Sequence, residues 1–187
     1  MGKSLFEHKH VCLGPYEPDK DSLVKALWSN DPAFQRAFGD DFFCPRTAAQ
    51  IKKQVEEMEK EADETRSLFL FAVRARTDDR LIGFARLDRL EWPHGSANLS
   101  LGLGDPKDRG LGYGTEVLDL VLQYAGEELN LFRLSAHVPE YNEGALRFFE
   151  RAGFMEEVRR RAALHRGGRR WDMLHLGLLL AEWRREP

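Results

Sequence analysis

Arg109-Gly110-Leu111-Gly112-Tyr113-Gly114 runs directly into a helical stripe of Leu118, Val121, Leu122, Ala125 and Leu129, and no other junction constrains this chain as much. Glycines at alternate positions allow backbone torsions closed to other residues and let a ligand approach the main chain. The first turn of the helix then offers N–H groups without intrahelical acceptors at its positive dipole end. Together with Thr115, these residues form a socket for a pyrophosphate or similar anion, and Arg109 brings a guanidinium beside it.

Other glycine-rich loops fit less well. A P-loop requires Gly-Lys-Ser/Thr at its end, which is missing. A dinucleotide fingerprint requires a glycine where the chain has Thr115. A tight turn that merely set a helix on a sheet would need neither the arginine nor this glycine spacing.

At 187 residues the chain reads as a single domain over 1–187, with 42% hydrophobic residues and a net charge of −3. No general basic excess points to DNA, and no apolar run reaches membrane-spanning length. Cys12 and Cys44 form no metal-ligand spacing, so no metal is expected, and reduced thiols suit a cytoplasmic protein. His8 and His10 could be written as an H-x-H pair, but with no third ligand nearby in sequence they read as a solvated terminus.

Val11 to Leu13 is a first strand ended by Gly14-Pro15. Asp19 or Asp21 would cap a helix through Leu23, Val24, Leu27 and Trp28, followed by a short helical piece from Pro32 to Phe38 and a loop over 39–45. Thr47 caps a helix with the stripe Ile51, Val55, Met58 and Ala62. Its acidic face (Glu56, Glu57, Glu59, Glu61, Asp63, Glu64) reads as solvated; an acidic wall for a cationic acceptor is the sharper alternative. Leu68 to Val73 and Leu81 to Leu87 pair as a hairpin. Ala97 to Leu103 alternates Asn98, Ser100 and Gly102 with Leu99, Leu101 and Leu103. Leu131 to Val138 is a strand with Ser135 and His137 on one face. Asn142 caps a helix with Ala145, Phe148, Phe149 and Ala152 inward, stopped by Gly153. Val158 to His165 and Arg169 to Leu178 form a hairpin around Gly167-Gly168, whose many arginines suit edge protection and solvation better than nucleic acid.

This order, with the glycine socket after the fourth strand, resembles the GNAT superfamily of N-acetyltransferases. Two motifs carry the likeness: Arg-Gly-Leu-Gly-Tyr-Gly-Thr-Glu at 109–116 and Asn-Glu-Gly-Ala-Leu-Arg-Phe-Phe-Glu-Arg-Ala-Gly-Phe at 142–154. The ribosomal-protein N-terminal acetyltransferases and the related spermidine acetyltransferases are the most similar subgroup. The resemblance implies an α/β (α+β) domain. Its mixed, mostly antiparallel sheet of about seven strands would be flanked by helices, with the fourth and fifth strands splayed. It implies acetyl-CoA as co-substrate, its pyrophosphate on backbone N–H groups around Leu111, Gly112, Gly114 and Thr115. Pantetheine would lie along Leu101 and Leu103 like an added strand. A backbone N–H near Leu101 would polarise the thioester carbonyl, and Asn142 would orient the pantetheine. A homodimer is possible on the same ground.

Two positions depart from the family pattern. Relatives often carry a tyrosine acid where this chain has Phe149. A thiol of pKa about 8.5 leaves tolerably as thiolate without one. Relatives often carry a glutamate base on the fourth strand, where this chain has Asn98. At pH 7 an amine of pKa about 10.4 is neutral only ~0.04% of the time, and an α-amine near 7.8 roughly 15%. With a weak base, the α-amine is the more tractable nucleophile. His137 has the most suitable intrinsic pKa and position among the replacement bases, ahead of His94, Glu91 and Glu140. The expected function is acetyl transfer to a primary amine, first a peptide or protein N-terminus and second a polyamine. A CoA-binding module without catalysis is the alternative of another class.

Overall fold

The computed structural model describes residues 5–38 and 44–183, so most of the loop at 39–45 lies outside the described residues. Seven strands form one sheet in the order β1 (Val11–Gly14), β2 (Leu68–Ala75), β3 (Leu81–Glu91), β4 (Ser96–Leu103), β5 (Arg133–Pro139), β7 (Arg169–Leu179), β6 (Met155–Arg166). Every neighbouring pair is antiparallel except β4–β5, which is parallel. That pair holds register only from Ser96↔Arg133 to Asn98↔Ser135, and then the strands part. The expected splay is present.

Alternation decides what each face of the sheet carries. One face presents Val73, Ala85, Leu87, Ala97, Leu99, Leu134 and Ala136 to helix α4 (Tyr113–Glu127) and helix α5 (Glu143–Arg151). The stripe of α4 is buried from Val117 to Ala125, and at about 1.5–3 kcal/mol per large aliphatic it anchors the glycine loop that precedes it. The opposite face is covered over β1–β3 by α1 (Pro18–Trp28), α2 (Pro32–Phe38) and α3 (Ala48–Thr65), through Trp28, Phe34, Tyr16, Ile51 and Val55. Trp28 lies so close to Gly104 that a Cβ there would meet its ring at 1.9 Å.

Local signals mostly hold. Thr47 and Gln50 form a reciprocal capping box, Asn142 Oδ1 accepts from Ala145 N at 3.2 Å, and Gly167 and Gly168 both take positive φ in the last turn. The cap of α1 differs from expectation. Glu17 holds that position, with Pro18 in the first turn, while Asp21 Oδ2 accepts from the Glu17 N–H at 2.8 Å and also from buried Arg74 Nη2 at 2.8 Å. Leu23 and Leu27 are 60% and 70% exposed; Val24, Ala26 and Trp28 pack instead. On edge strand β6 Arg159, Arg160 and Arg161 are exposed, and Arg159 pairs with Glu156 at 2.9 Å and Asp172 at 3.3 Å, as edge protection predicts.

Candidate acetyl-transfer site

At the glycine junction Gly110 and Gly112 take φ of 76° and 85°, and the space where their Cβ atoms would lie is empty. Gly112 is the cap residue of α4, and the first helical bond is Glu116 N to Gly112 O. The N–H groups of Tyr113, Gly114 and Thr115 therefore have no acceptor within the helix. The cradle fits a pyrophosphate, since its donors are main-chain atoms and no side chain fills the approach. A Cβ at Gly114 would only touch the edge of the Phe148 ring, at 3.4 Å. A groove of about 740 Å³ beside the cradle is lined by Thr115, Gly144, Arg147 and Arg151.

Arg109 is placed differently from the expectation. Its guanidinium turns back to donate to Leu103 O at 3.2 Å and Gly104 O at 2.8 Å, tying the loop to the end of β4. A second tie was not foreseen from sequence. Asp108, 2% exposed, takes a two-pronged hydrogen bond from Arg80 at 2.6 and 2.8 Å, joining the β2–β3 turn to the loop. Hydrogen bonding to Asp108 raises the Arg80 pKa above the ordinary guanidinium value.

His8 and His10 are solvent-accessible as expected but also meet a partner that was not foreseen. His10 donates through its backbone N to Glu116 Oε2 at 2.8 Å and pairs through its ring with Oε1, while His8 Nδ1 lies 3.3 Å from Glu116. Burial alone would raise the Glu116 pKa, but the His10 bonds outweigh it and hold the carboxyl low. Among the described residues no group of His, Cys, Asp and Glu could hold a metal ion.

Where β4 and β5 part, a cavity of about 210 Å³ opens, lined by Leu101, His137, Asn142, Phe149, Lys25 and Arg86 among others. The structure thus brings together four of the residues singled out in the sequence. Leu101 comes from β4, His137 from the end of β5, and Asn142 and Phe149 from the start and last turn of α5. Asn142 Oδ1 is occupied by the helix cap, and its amide nitrogen has no protein partner among the described residues. Phe149 is 7% exposed, edge-on to Phe154 at 5.0 Å between ring centroids. His137 is exposed and faces His175 of β7, ring centroids 4.1 Å apart and in direct register.

Sequence reasoning missed Lys25, Arg86 and His175 at this site. Lys25 Nζ lies 5.6 Å from the Tyr16 ring centroid and 5.4 Å from that of Phe84. Burial first, then Arg86 and Arg46, push its pKa down to about 8. The helical spacing of α1 did place Lys25 beside Val24, but nothing in the sequence said that this face meets β3.

Comparison with known proteins agrees with this geometry. Residues 10–155 match the model of the acetyltransferase (GNAT) domain. The chain belongs to the GNAT acetyltransferase family. It is 31% identical over 158 residues to a probable N-acetyltransferase of Bacillus subtilis, YjcK, covering 82% of this chain and 84% of that one. It is 27% identical over 103 residues to the spermidine N(1)-acetyltransferase of Vibrio cholerae, 55% of this chain and 59% of that one. The fold superimposes with a TM-score of 0.79 on a spermidine N-acetyltransferase of Vibrio cholerae crystallised with CoA and spermine. That match has 21% identity and covers 92% of this chain and 96% of the other. The protein is an acetyl-CoA-dependent N-acetyltransferase, and among the described residues no helix is long and apolar enough to cross a membrane.

Proposed function

We propose that the acceptor is an α-amine, first that of a peptide or protein N-terminus. One observation carries this reading: among the described residues no carboxylate lines the cavity, whose titratable groups are Lys25, Arg86 and His137. Without a strong base, the nucleophile must be an amine already partly neutral near pH 7, and α-amines with pKa near 7.8 meet that need far better than alkylamines above 10. The amine lone pair attacks the thioester carbonyl, the carbon–sulfur bond breaks, and CoA leaves as thiolate. The ammonium proton passes to His137 or, through it, to water.

In this reading the N–H groups of Gly110 to Thr115 hold the pyrophosphate, the backbone of Leu101 and Leu103 holds the pantetheine arm, and the Leu101 N–H stabilises the developing oxyanion. Asn142 orients the arm, and Phe149 seals the wall where relatives carry a tyrosine. A polyamine acceptor is the second reading, and the spermidine acetyltransferases among the relatives favour it. Thiol release from acetyl-CoA at pH 7 and pH 8.5 decides between them. Peptides beginning with Ser, Ala or Met should react faster than spermidine or a lysine side-chain peptide; faster release with spermidine would establish the second reading.

A further inference from the structure

The acceptor end of the cavity is cationic. Lys25 projects from α1 against Phe84, and Arg86 lies two residues along β3 on the same face; both line the cavity that holds Leu101 and His137. Around them, Arg86 Nε pairs with Asp88 at 2.7 Å, and no carboxylate pairs with Lys25 among the described residues. Arg46, from the turn before α3, adds a further positive field and hydrogen bonds to Gln54. Among the described residues the nearby acids are engaged elsewhere, apart from Glu59 of α3, which lies within electrostatic reach of Tyr16. Asp21 and Glu17 hold Arg74, and Glu140 lies 3.7 Å from Arg159 while accepting from the Asp172 backbone N–H. From β5 and β7 the facing titratable groups are His137 and His175. Among the described residues, two basic heads thus share one carboxylate in a half-enclosed, aromatic-walled space. Such an arrangement is unfavourable empty and favourable once an anion enters.

We infer that the acceptor carries a carboxylate close to its reacting amine, and that Lys25 and Arg86 receive it. The inference rests on the reading that an amine is acetylated in this cavity. It gives the cavity two ends: a thioester end at Leu101, where the amine must be neutral, and a cationic end that fixes the acceptor by charge. A polycation would place like charge against Lys25 and Arg86, so the same pair rejects spermidine. The depressed Lys25 pKa agrees: burial first, then the like charges of Arg86 and Arg46, disfavour its ammonium.

A carboxylate so placed has two sources: the α-carboxylate of a free amino acid, or an acidic side chain in the first two residues of a peptide. The test is steady-state thiol release at saturating acetyl-CoA with matched acceptors. One arm compares free amino acids with their amides, with rates taken per neutral amine because the adjacent carboxylate raises the amine pKa; the other compares amidated peptides beginning Asp, Glu, Ser-Asp or Ala-Glu with their Asn and Gln counterparts. In one arm the carboxylate should improve kcat/KM roughly tenfold or more, as expected for a charge-assisted bond. Lys25→Gln and Arg86→Gln should remove most of that advantage through KM, bringing the ratio of charged to neutral acceptor towards one, with acetyl-CoA affinity little changed. Equal rates with and without the carboxylate in both arms would overturn the inference while leaving the α-amine reading standing. So would variants that slow all acceptors alike. If amino acids alone show the dependence, the inference holds and the peptide choice falls. If no α-amine is acetylated while spermidine is, both fall together.

Discussion

Removing Arg80 and removing Asp108 break the same ion pair but should not weaken the protein equally. Asp108 is 2% exposed and accepts both of its side-chain bonds from Arg80, whereas Arg80 is 39% exposed and lies 3.4 Å from Asp78. Arg80→Ala strands a buried carboxylate, which places it at the lower end of the range for breaking a buried pair, about 3 kcal/mol. Asp108→Ala leaves a guanidinium that rehydrates and turns to Asp78, as exposed pairs allow, at about 1 kcal/mol. For a chain of this size these correspond to drops in Tm of roughly 6–12 °C and 2–4 °C. The pair also ties down the loop feeding Gly110 and Gly112, so acetyl-CoA should bind several-fold more weakly to Arg80→Ala. Thermal melts and calorimetric titration of both single variants and the double variant give the comparison. Equal losses, or a larger loss for Asp108→Ala, would refute the assignment of the buried charge as the source of the cost.

Gly112→Asp forces a side chain onto a φ of 85° and puts negative charge in the cradle; acetyl-CoA affinity should fall at least tenfold by calorimetry, and a near-normal value would mean the anion site lies elsewhere. His137→Ala should lower turnover more at pH 7 than at pH 9, where the acceptor amine is already neutral, and an unchanged pH–rate profile removes His137 as the base. Lys25, with a pKa near 8, is charged below that pH and loses its charge above it. Inhibition by an N-acetylated, carboxylate-bearing product should therefore weaken as pH rises through 8, and Lys25→Gln should flatten that dependence. Gly104→Ala drives a Cβ into the Trp28 ring and should cost about 1–3 kcal/mol in denaturant melts, with no loss if the ring can simply turn aside.

What was legible in the sequence was written in periodicity and in special backbone positions. The stripe of α4, the Thr47 cap, the Asn142 cap and the Gly167-Gly168 turn each depend on residues within a few positions of one another, so they could be read directly. The unusual backbone torsions at Gly110 and Gly112 were legible for the same reason. The missed features all join distant segments. Asp21 reads as a surface cap until Arg74 is placed under it, 53 residues away. Asp108 reads as a loop acid until the β2–β3 turn swings Arg80 over it. His8 and His10 lacked a partner only because Glu116 lies 106 residues from His10. Arg109 was assigned to the anion by its neighbours in sequence, but its guanidinium donates to the Leu103 and Gly104 carbonyls at the end of β4. The cationic end of the cavity was invisible because it depends on α1 crossing β3, and Lys25 on its own looks like any helix lysine.

The parting of β4 and β5 has a thermodynamic consequence. The sheet is continuous on either side of this seam, but three registered pairs are all that join its two halves along β4 and β5. A co-substrate lying in the seam as a strand would supply the missing rungs, so part of the fold's cohesion would arrive with the ligand. The melting temperature then becomes a gauge of saturation: at a hundredfold excess over Kd, binding to the native state alone adds about 2.7 kcal/mol. Amide exchange at Leu101 and Leu103 should slow in step, while the far strands, β1 and β2, barely respond. Local acetyl-CoA supply would thus set how firmly the two halves of the molecule hold together, as well as how fast it turns over.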